Sequence, residues 1–467
     1  MDDSPGDEHL AFMQWAEASG IKIKGVTPAR FPGRRLGMKA TRTIKNNETM
    51  LTIPVDLMLT IDSIPSSFTS QFPTGTSIHG IMAAFLTHGD PSLLKNLEAW
   101  RSVWPSYDEF EDSMPVLWPA HLRVSNSSYG GNADSSSPEK QDQDHNQGKI
   151  LLPPSISGEW NTFPKVPVGV DYDTRYQNLL SQQEKRLKDA WANVVKVYPE
   201  TEWKTFAYYW CIINSRSFYY VSPGKDEPED WNDAIGMVPF ADYFNHVDDA
   251  ACEVNFDGKK YTFRATRRYE KGEEVYMSYG NHSNDFLLIE CQSITLLSIP
   301  TSHSQSIQLT NKDGFTLSTN PSDCIYLDDI IFQDLSISQK QELAKQEIFG
   351  NYTLSHPLSS ESPLHYAACL KYMNTRDWRA YVCGRSERGV DEQKTANVIR
   401  GWVEVYLKEC IGTTEIIENM IQDLGEELGD SEKKIGSKAW EREKLQMLLN
   451  RWGQIRRLCE SVLEDLE

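Results

Sequence analysis

The sequence predicts an α+β protein: a β-rich core of small sheets, interrupted by a helical insertion and followed by an all-α C-terminal domain. Three observations carry this. Strand-and-turn texture fills residues 21–60 and returns over 234–279. Between them, over about 61–233, apolar residues recur at helical spacing. From residue 336 onward the chain reads as helix after helix, each with an apolar face. A length of 467 residues suits two or three domains.

Residues 9–19 predict a short helix with Phe12, Trp15 and Ala16 on one face. Strands follow at 22–26, 36–40 and 48–53, separated by turns at Pro32-Gly33 and Lys45-Asn46-Asn47. Ile78, Ile81, Met82, Phe85 and Leu86 fall at i, i+3, i+4, i+7, i+8 and predict a helix. Residues 125–148 are rich in Ser, Asn, Asp, Gln and Gly. They cannot bury enough surface to offset their ordering entropy, so a disordered surface insertion is expected over about 124–149. Helix is expected over 172–220 and a charged loop over 225–233.

After Ile289 the pattern degrades, and 296–324 predicts an irregular connector with a hairpin near Lys312-Asp313-Gly314. A helical domain is expected over 325–467. Its helices are predicted at 338–349, 362–373, 392–410, 414–428 and 439–466, with a connector near Gly412. Trp402, Tyr406, Met420, Leu424, Met447, Leu448 and Trp452 supply apolar faces for a bundle.

Charge and cysteine content narrow the function classes. Lys and Arg number 47 against 67 Asp and Glu, a net charge of −20. Nucleic-acid binding over a broad surface is not expected, because phosphate contacts need clustered cations; a basic protein partner is easier to accommodate. No apolar run reaches the roughly 18 residues of a spanning helix, so no membrane association is expected. The eight cysteines include no C-x-x-C pair, which argues against zinc or disulfide scaffolding and for a reducing compartment. Cytoplasm and nucleus both fit, and a monomer is expected.

The chemistry-bearing residues concentrate in 237–280, where a Phe-Ala-Asp-Tyr-Phe-Asn-His block (240–246) and a Tyr-Met-Ser-Tyr-Gly block (276–280) flank a strand-rich segment. An isolated Asn-His pair also reads as a capped strand end with a hydrogen-bonded histidine. The pattern gains meaning from its order: GRRLGMKATRTIKNNETMLTIP from Gly33, INSRSFYY from Ile213, the Asn-His block, then GEEVYMSYG from Gly272.

This ordered set resembles the SET-domain methyltransferases, in the branch of the Rubisco large-subunit lysine methyltransferase. That branch has a helical insertion inside the core and a helical substrate-binding domain after it, over about residues 20–460 here. The resemblance implies S-adenosylmethionine as methyl donor and a knot-like active site, an arrangement that ordinary topology rules make rare. It implies that Arg34, Arg35 and Leu36 meet the donor through their backbone, and that Arg216, Asn245 and His246 bind it. A carboxylate, an ammonium and an adenine edge need directional donors and acceptors, which a guanidinium, an amide and backbone groups supply. Tyr279 matches the catalytic tyrosine. Tyr220 and Asp242 match substrate-contacting positions.

The implied reaction is an in-line displacement by an amine on a sulfonium, in which the protein aligns the reactants. A lysine must be neutral, at a cost of about 4–5 kcal/mol at pH 7, and a dry aromatic channel favours that form. Tyr220, Tyr243, Phe244 and Tyr279 are candidate walls; Tyr243 and Phe244 fit a packed core equally well.

Two positions depart from the family pattern. Arg35 stands where the first turn usually carries glycine. Cys291 stands where a second tyrosine is expected, and would border the substrate without a phenol. The sequence therefore supports a protein-lysine methyltransferase acting on a non-histone protein. A protein-histidine methyltransferase and a non-catalytic SET-fold binding module are the alternatives, the imidazole needing less desolvation because it is already mostly neutral at pH 7.

Overall fold

Every pairing between the named strands is antiparallel, and the strands fall into four small sheets. The structure, a computed structural model, describes residues 3–31, 36–123, 149–291, 320–426 and 432–467. The expected disordered insertion, the turn at Pro32-Gly33 and the hairpin near Lys312-Asp313-Gly314 lie outside the described residues, as do Arg34 and Arg35.

The strand predicted at 22–26 is two strands. β1 (Lys22–Ile23) and β2 (Val26–Arg30) are divided at Gly25, whose φ of +74° suits glycine alone. β2 continues through Pro28, which has no N–H to donate, because it is an edge strand. It pairs with β3 (Leu36–Ala40), which also pairs with β9 (Glu274–Val275), so Gly37 sits in a central strand. The larger sheet has the order β1-β4-β8-β7, with β4 at Thr49–Pro54, β7 at Cys252–Phe256 and β8 at Lys260–Ala265. β8 has a clear period of two: Tyr261, Phe263 and Ala265 are buried while Lys260 and Arg264 are exposed. Asp257 Oδ1 accepts from the backbone N–H groups of Lys259 and Lys260, both at 3.0 Å, which closes the β7–β8 turn at Gly258.

The helix expected through residue 220 ends earlier. Helices Leu179–Val197 and Trp203–Arg216 form, and then Ser217–Tyr219 become β5, paired with β6 (Ile235–Met237). Aromatic residues and a partner strand outweigh the helical run here. Arg216 is thereby placed at a helix-to-strand junction. Helix Ile78–His88 is as predicted; of the periodic residues Met82, Phe85 and Leu86 are buried and Ile78 and Ile81 only partly so, while His79, Gly80, Ala83 and Ala84 are buried as well.

The chain forms two compact units. One contains residues 1–114, 182–282 and 290–320; the other contains 115–181, 283–289 and 321–467. Part of the insertion therefore groups with the C-terminal helices. Its reasons are specific: Trp452 Nε1 donates to the Leu151 carbonyl at 2.7 Å, and the backbone N–H groups of Asn161 and Thr162 donate to the Glu409 carboxylate at 2.8 and 2.9 Å.

In this second unit one helix runs unbroken from Glu392 to Glu426, so the connector expected at Gly412 is absent. A mid-helix glycine costs about 1 kcal/mol relative to alanine, and the burial of Thr413 and Ile417 in the same turns outweighs it. This helix packs against Glu432–Asp465. Trp402, Tyr406, Leu448 and Trp452 are buried as predicted, whereas Met420, Leu424 and Met447 are only partly so. Helices Asp328–Asp334 and Thr375–Val382 add to the predicted set.

Arg451 is the central polar group of this unit, with 1% side-chain exposure. Its Nε donates to Asp285 Oδ1 at 2.6 Å, and its Nη1 and Nη2 donate to Asp323 at 2.7 and 3.2 Å. Burial opposes its charge, but Asp285 and Asp323 outweigh burial and hold it protonated. Ser155 donates to the remaining oxygen of Asp285, and Asn284 caps Asp323 through its backbone and side chain at 2.9 and 3.0 Å. Removing one partner of such a pair strands the others. Arg451→Ala is therefore expected to cost about 3–5 kcal/mol, read as a lower urea midpoint for unfolding of the helical unit; an unchanged midpoint would refute this role.

Candidate active site

The two sequence blocks meet through one short pairing. His246 and Met277 form a parallel bridge: the Met277 N–H donates to the Asn245 carbonyl at 2.9 Å, and the Val247 N–H donates to the Met277 carbonyl at 3.2 Å. The approach to it is strained. Phe240 is fully buried at φ +72°, a conformation costly for a bulky L-residue. A single 3₁₀ turn, Ala241–Tyr243, then delivers Phe244 in extended form, with Asn245 next to it.

Asn245 reaches back to the first strands. Its Nδ2 donates to the Leu36 carbonyl at 3.0 Å and to Glu274 Oε1 at 2.8 Å. Glu274 in turn accepts from the Tyr276 hydroxyl on Oε2 at 2.6 Å. Gly37 makes room for this cluster: a Cβ there would lie 2.5 Å from Glu274 Oε1 and 2.8 Å from Asn245 Nδ2. The Gly37 backbone has ordinary torsions, so what it requires is close approach.

Tyr279 is anchored at both ends to the Asn-His block. Its backbone N–H donates to His246 Nδ1 at 3.1 Å, and its hydroxyl donates to the Phe244 carbonyl at 2.7 Å. The rings of His246 and Tyr279 stack with centroids 5.0 Å apart. With Nδ1 accepting, the His246 proton belongs on Nε2, which lies 3.1 Å from Asp248 Oδ1. Burial lowers the His246 pKa against the pull of Asp248, which favours the neutral ring. Burial pushes the Tyr279 phenol well above the ordinary tyrosine value, and Cys291 adds to this while Arg216 opposes it. Asp242 and Glu274 act on the same phenol, so five of these side chains form one electrostatic neighbourhood.

Arg216 Nη1 donates to Asp242 Oδ2 at 3.1 Å. Arg216 Nε and Asp242 Oδ1 are buried and have no hydrogen-bond partner among the described residues. Burial raises the Asp242 pKa and Arg216 draws it back. A half-buried ion pair with a buried unused donor and a buried unused acceptor is suited to a polar ligand.

Cys291 follows Glu290, whose carboxylate accepts from Arg186 Nη2 at 2.6 and 2.8 Å and from Asn214 Nδ2 at 3.0 Å. Burial pushes the Cys291 thiol up to about 12, with Glu290 adding to it, so it is a neutral thiol at pH 7.

The remaining aromatic candidates separate. Tyr243 packs against Phe12 and Phe240, and its hydroxyl is 2.7 Å from His9 Nδ1 on the N-terminal helix Asp7–Ala18. Phe244 stacks on Phe263 of β8 at 5.3 Å with an interplanar angle of 3°. Both rings pack against core neighbours, as one of the two readings of their residue types expects. Tyr220 donates its hydroxyl to Asp62 Oδ2 at 3.1 Å and packs on Phe256. Glu274 and Tyr276 are site residues that sequence reasoning misses. Both stand inside the Gly-Glu-Glu-Val-Tyr run, and an acidic side chain two residues from a site tyrosine is the available signal.

Comparison with known proteins bears on the family and the fold. The SET domain family model matches residues 35–280. Ribosomal lysine N-methyltransferase set11 of Schizosaccharomyces pombe is 28% identical over 228 residues, 46% of this chain and 50% of the relative, so the match spans half the relative's length. SET domain-containing protein 4 of Homo sapiens is 20% identical over 362 residues, 75% of this chain and 68% of the relative. The crystal structure of the SET domain of LSMT bound to lysine and AdoHcy shares the fold, with a TM-score of 0.51, 15% identity, and coverage of 99% of this chain and 93% of that one.

Gly37→Ala should be destabilising by about 1–3 kcal/mol through overpacking against Asn245 and Glu274. Thermal unfolding checks this, and a wild-type midpoint would show that the close approach is not required.

Proposed function

This chain belongs to the SET-domain family, and we propose that it is an S-adenosylmethionine-dependent protein N-methyltransferase acting on a lysine of a non-histone protein. The observation that carries this reading is the Tyr279 hydroxyl. Its hydrogen is spent on the Phe244 carbonyl at 2.7 Å, so the phenol offers oxygen lone pairs to whatever lies in front of it. Lone pairs are what a polarised methyl group and an amine N–H need. A raised pKa keeps the phenol neutral, which suits alignment and not general-base catalysis.

The residues fit the donor. The Nε of Arg216, buried and without a partner among the described residues, suits a carboxylate, and Asn245 suits an ammonium. The Leu36 backbone and His246 adjoin the same place, since Asn245 bonds the one and precedes the other. The donor, when bound, supplies a methyl group made electrophilic by its sulfonium. The chain's own work is to orient the amine, surround the methyl with oxygen atoms and exclude water. Asp242, assigned to substrate contact by sequence, is engaged by Arg216 and has one oxygen left for a bound group. Lysine as target is supported by the ribosomal lysine N-methyltransferase among the relatives.

Labelling a lysate with radioactive donor, followed by mass spectrometry of the modified residue, tests the proposal. Tyr279→Phe should keep donor affinity within about twofold and reduce transfer by about 10²-fold or more. Donor binding without transfer by the wild type would reject an enzyme, and label on histidine would reject lysine. Because Tyr279 stays protonated, kcat/KM should rise about tenfold per pH unit between pH 7 and 9, following the free amine alone; a plateau in that range would contradict this.

Cys291→Tyr tests the departure at the edge of the site. An added phenol beside Tyr279 should raise kcat by about tenfold, the worth of roughly one further hydrogen bond. No change in kcat would show that the second tyrosine is not what limits this chain.

A further inference from the structure

Asn245 has two amide hydrogens, and the structure uses both. Its Nδ2 faces two groups that can only accept, the Leu36 carbonyl at 3.0 Å and Glu274 Oε1 at 2.8 Å. The reverse amide orientation would bring Oδ1 against a carbonyl and a carboxylate oxygen, with no hydrogen between them. The orientation is therefore set by its neighbours, and Oδ1 is what Asn245 can present to a ligand. Glu274 is itself held. The Tyr276 hydroxyl donates to its Oε2 at 2.6 Å, and β9, which carries it, pairs with β3 at Lys39↔Glu274. The missing side chain at Gly37 is what allows Glu274 and Asn245 to approach β3 this closely.

We propose that Glu274 is a positioning residue: it fixes the Asn245 amide so that its carbonyl oxygen accepts from the ammonium of the methyl donor. This rests on the reading of the chain as a donor-dependent methyltransferase and assigns the polarity of one of its contacts. The carboxylate does not touch the donor. It acts through Asn245, giving the ammonium an acceptor where an unconstrained amide would offer acceptor and donor alike.

The physical consequence is selective. Loss of Glu274 removes one of the two acceptors that hold the amide, leaves the Leu36 carbonyl alone to orient it, and weakens binding of a donor that carries the ammonium. It leaves binding of the same molecule without its amino-acid part unaffected. A merely structural role for Glu274 would weaken both.

Calorimetric titration of the full chain with S-adenosylmethionine and with 5′-methylthioadenosine, which lacks the amino-acid portion, tests this. Glu274→Ala should raise the dissociation constant for S-adenosylmethionine about tenfold, the size expected for losing one charge-assisted hydrogen bond. It should leave the constant for 5′-methylthioadenosine within about twofold, a change of less than one ordinary hydrogen bond. Glu274→Gln, whose amide oxygen can still accept from Asn245, should restore most of the affinity. In the double variant with Asn245→Ala, the two losses should not add, because one residue acts through the other. Equal weakening of both ligands, additive losses, or unchanged affinity in Glu274→Ala would each overturn the proposal. Should the wild type bind 5′-methylthioadenosine and S-adenosylmethionine equally, the ammonium contact is absent and the proposal fails while donor binding stands. Should the wild type bind neither, the methyltransferase reading fails, and this inference with it.

Discussion

The site depends on the pairing of residues 245–247 with Met277. Two backbone hydrogen bonds, Met277 N–H to Asn245 and Val247 N–H to Met277, join segments roughly 30 residues apart. Tyr279 then takes its position from the same block, with its N–H on His246 and its hydroxyl on Phe244. Asn245 carries the connection onward to Leu36 and Glu274, and so to the β2-β3-β9 sheet. Without that pairing the two halves would have no common frame. A catalytic arrangement tolerates little displacement, because misplacement of even about 1 Å can cost 10²-fold.

Two arginines, Arg451 fully buried and Arg216 half-buried, show how the protein treats charge away from solvent. Arg451 is satisfied on every nitrogen, and its partners Asp285 and Asp323 are satisfied as well, by Ser155 and Asn284. Arg216 pairs with Asp242 through one contact and leaves Nε and Oδ1 buried and unmatched among the described residues. Both pairs carry a desolvation cost. In the first, the completed network offsets it and holds the helical unit together. In the second, part of the cost is left standing where a polar ligand can relieve it. Buried Nε atoms without a partner among the described residues also occur at Arg186 and Arg400; at Arg216 the paired carboxylate of Asp242 is unmatched as well.

Much of the fold is legible where local rules act alone. The alternation in β8, the apolar spacing of Ile78–His88 and the C-terminal helices all follow from side-chain period. The ordered Asn-His and Tyr-Gly blocks are legible through family resemblance, and their spatial union through the bridge at Met277 is not. Other features depend on partners far along the chain. Ser217–Tyr219 leave the helix because Ile235–Met237 offers a strand, and Gly412 stays in a helix because Thr413 and Ile417 are buried. By residue type Tyr243 and Phe244 suit core and channel equally; that Phe12, His9 and Phe263 pack against them depends on partners far along the chain. Glu274 escapes notice in the sequence because its importance lies in an amide hydrogen it accepts, which no periodicity reports.

The departure at Cys291 changes meaning in this light. The position is held by its neighbour: the Glu290 carboxylate is gripped by Arg186, Asn214 and Gln183, and its carbonyl accepts from Asn214. What stands at 291 therefore alters the chemistry offered at the edge of the site without altering where that edge lies. Tyr279 does not need a phenol from residue 291 to orient its own hydroxyl, because the Phe244 carbonyl already does so. Nor does the cysteine supply a competing nucleophile, since burial keeps its thiol protonated. The core of the arrangement, from Leu36 through Asn245 to Tyr279, is complete in hydrogen bonds without it. A second tyrosine would add an interaction to this site, and its absence does not dismantle the one the chain has built.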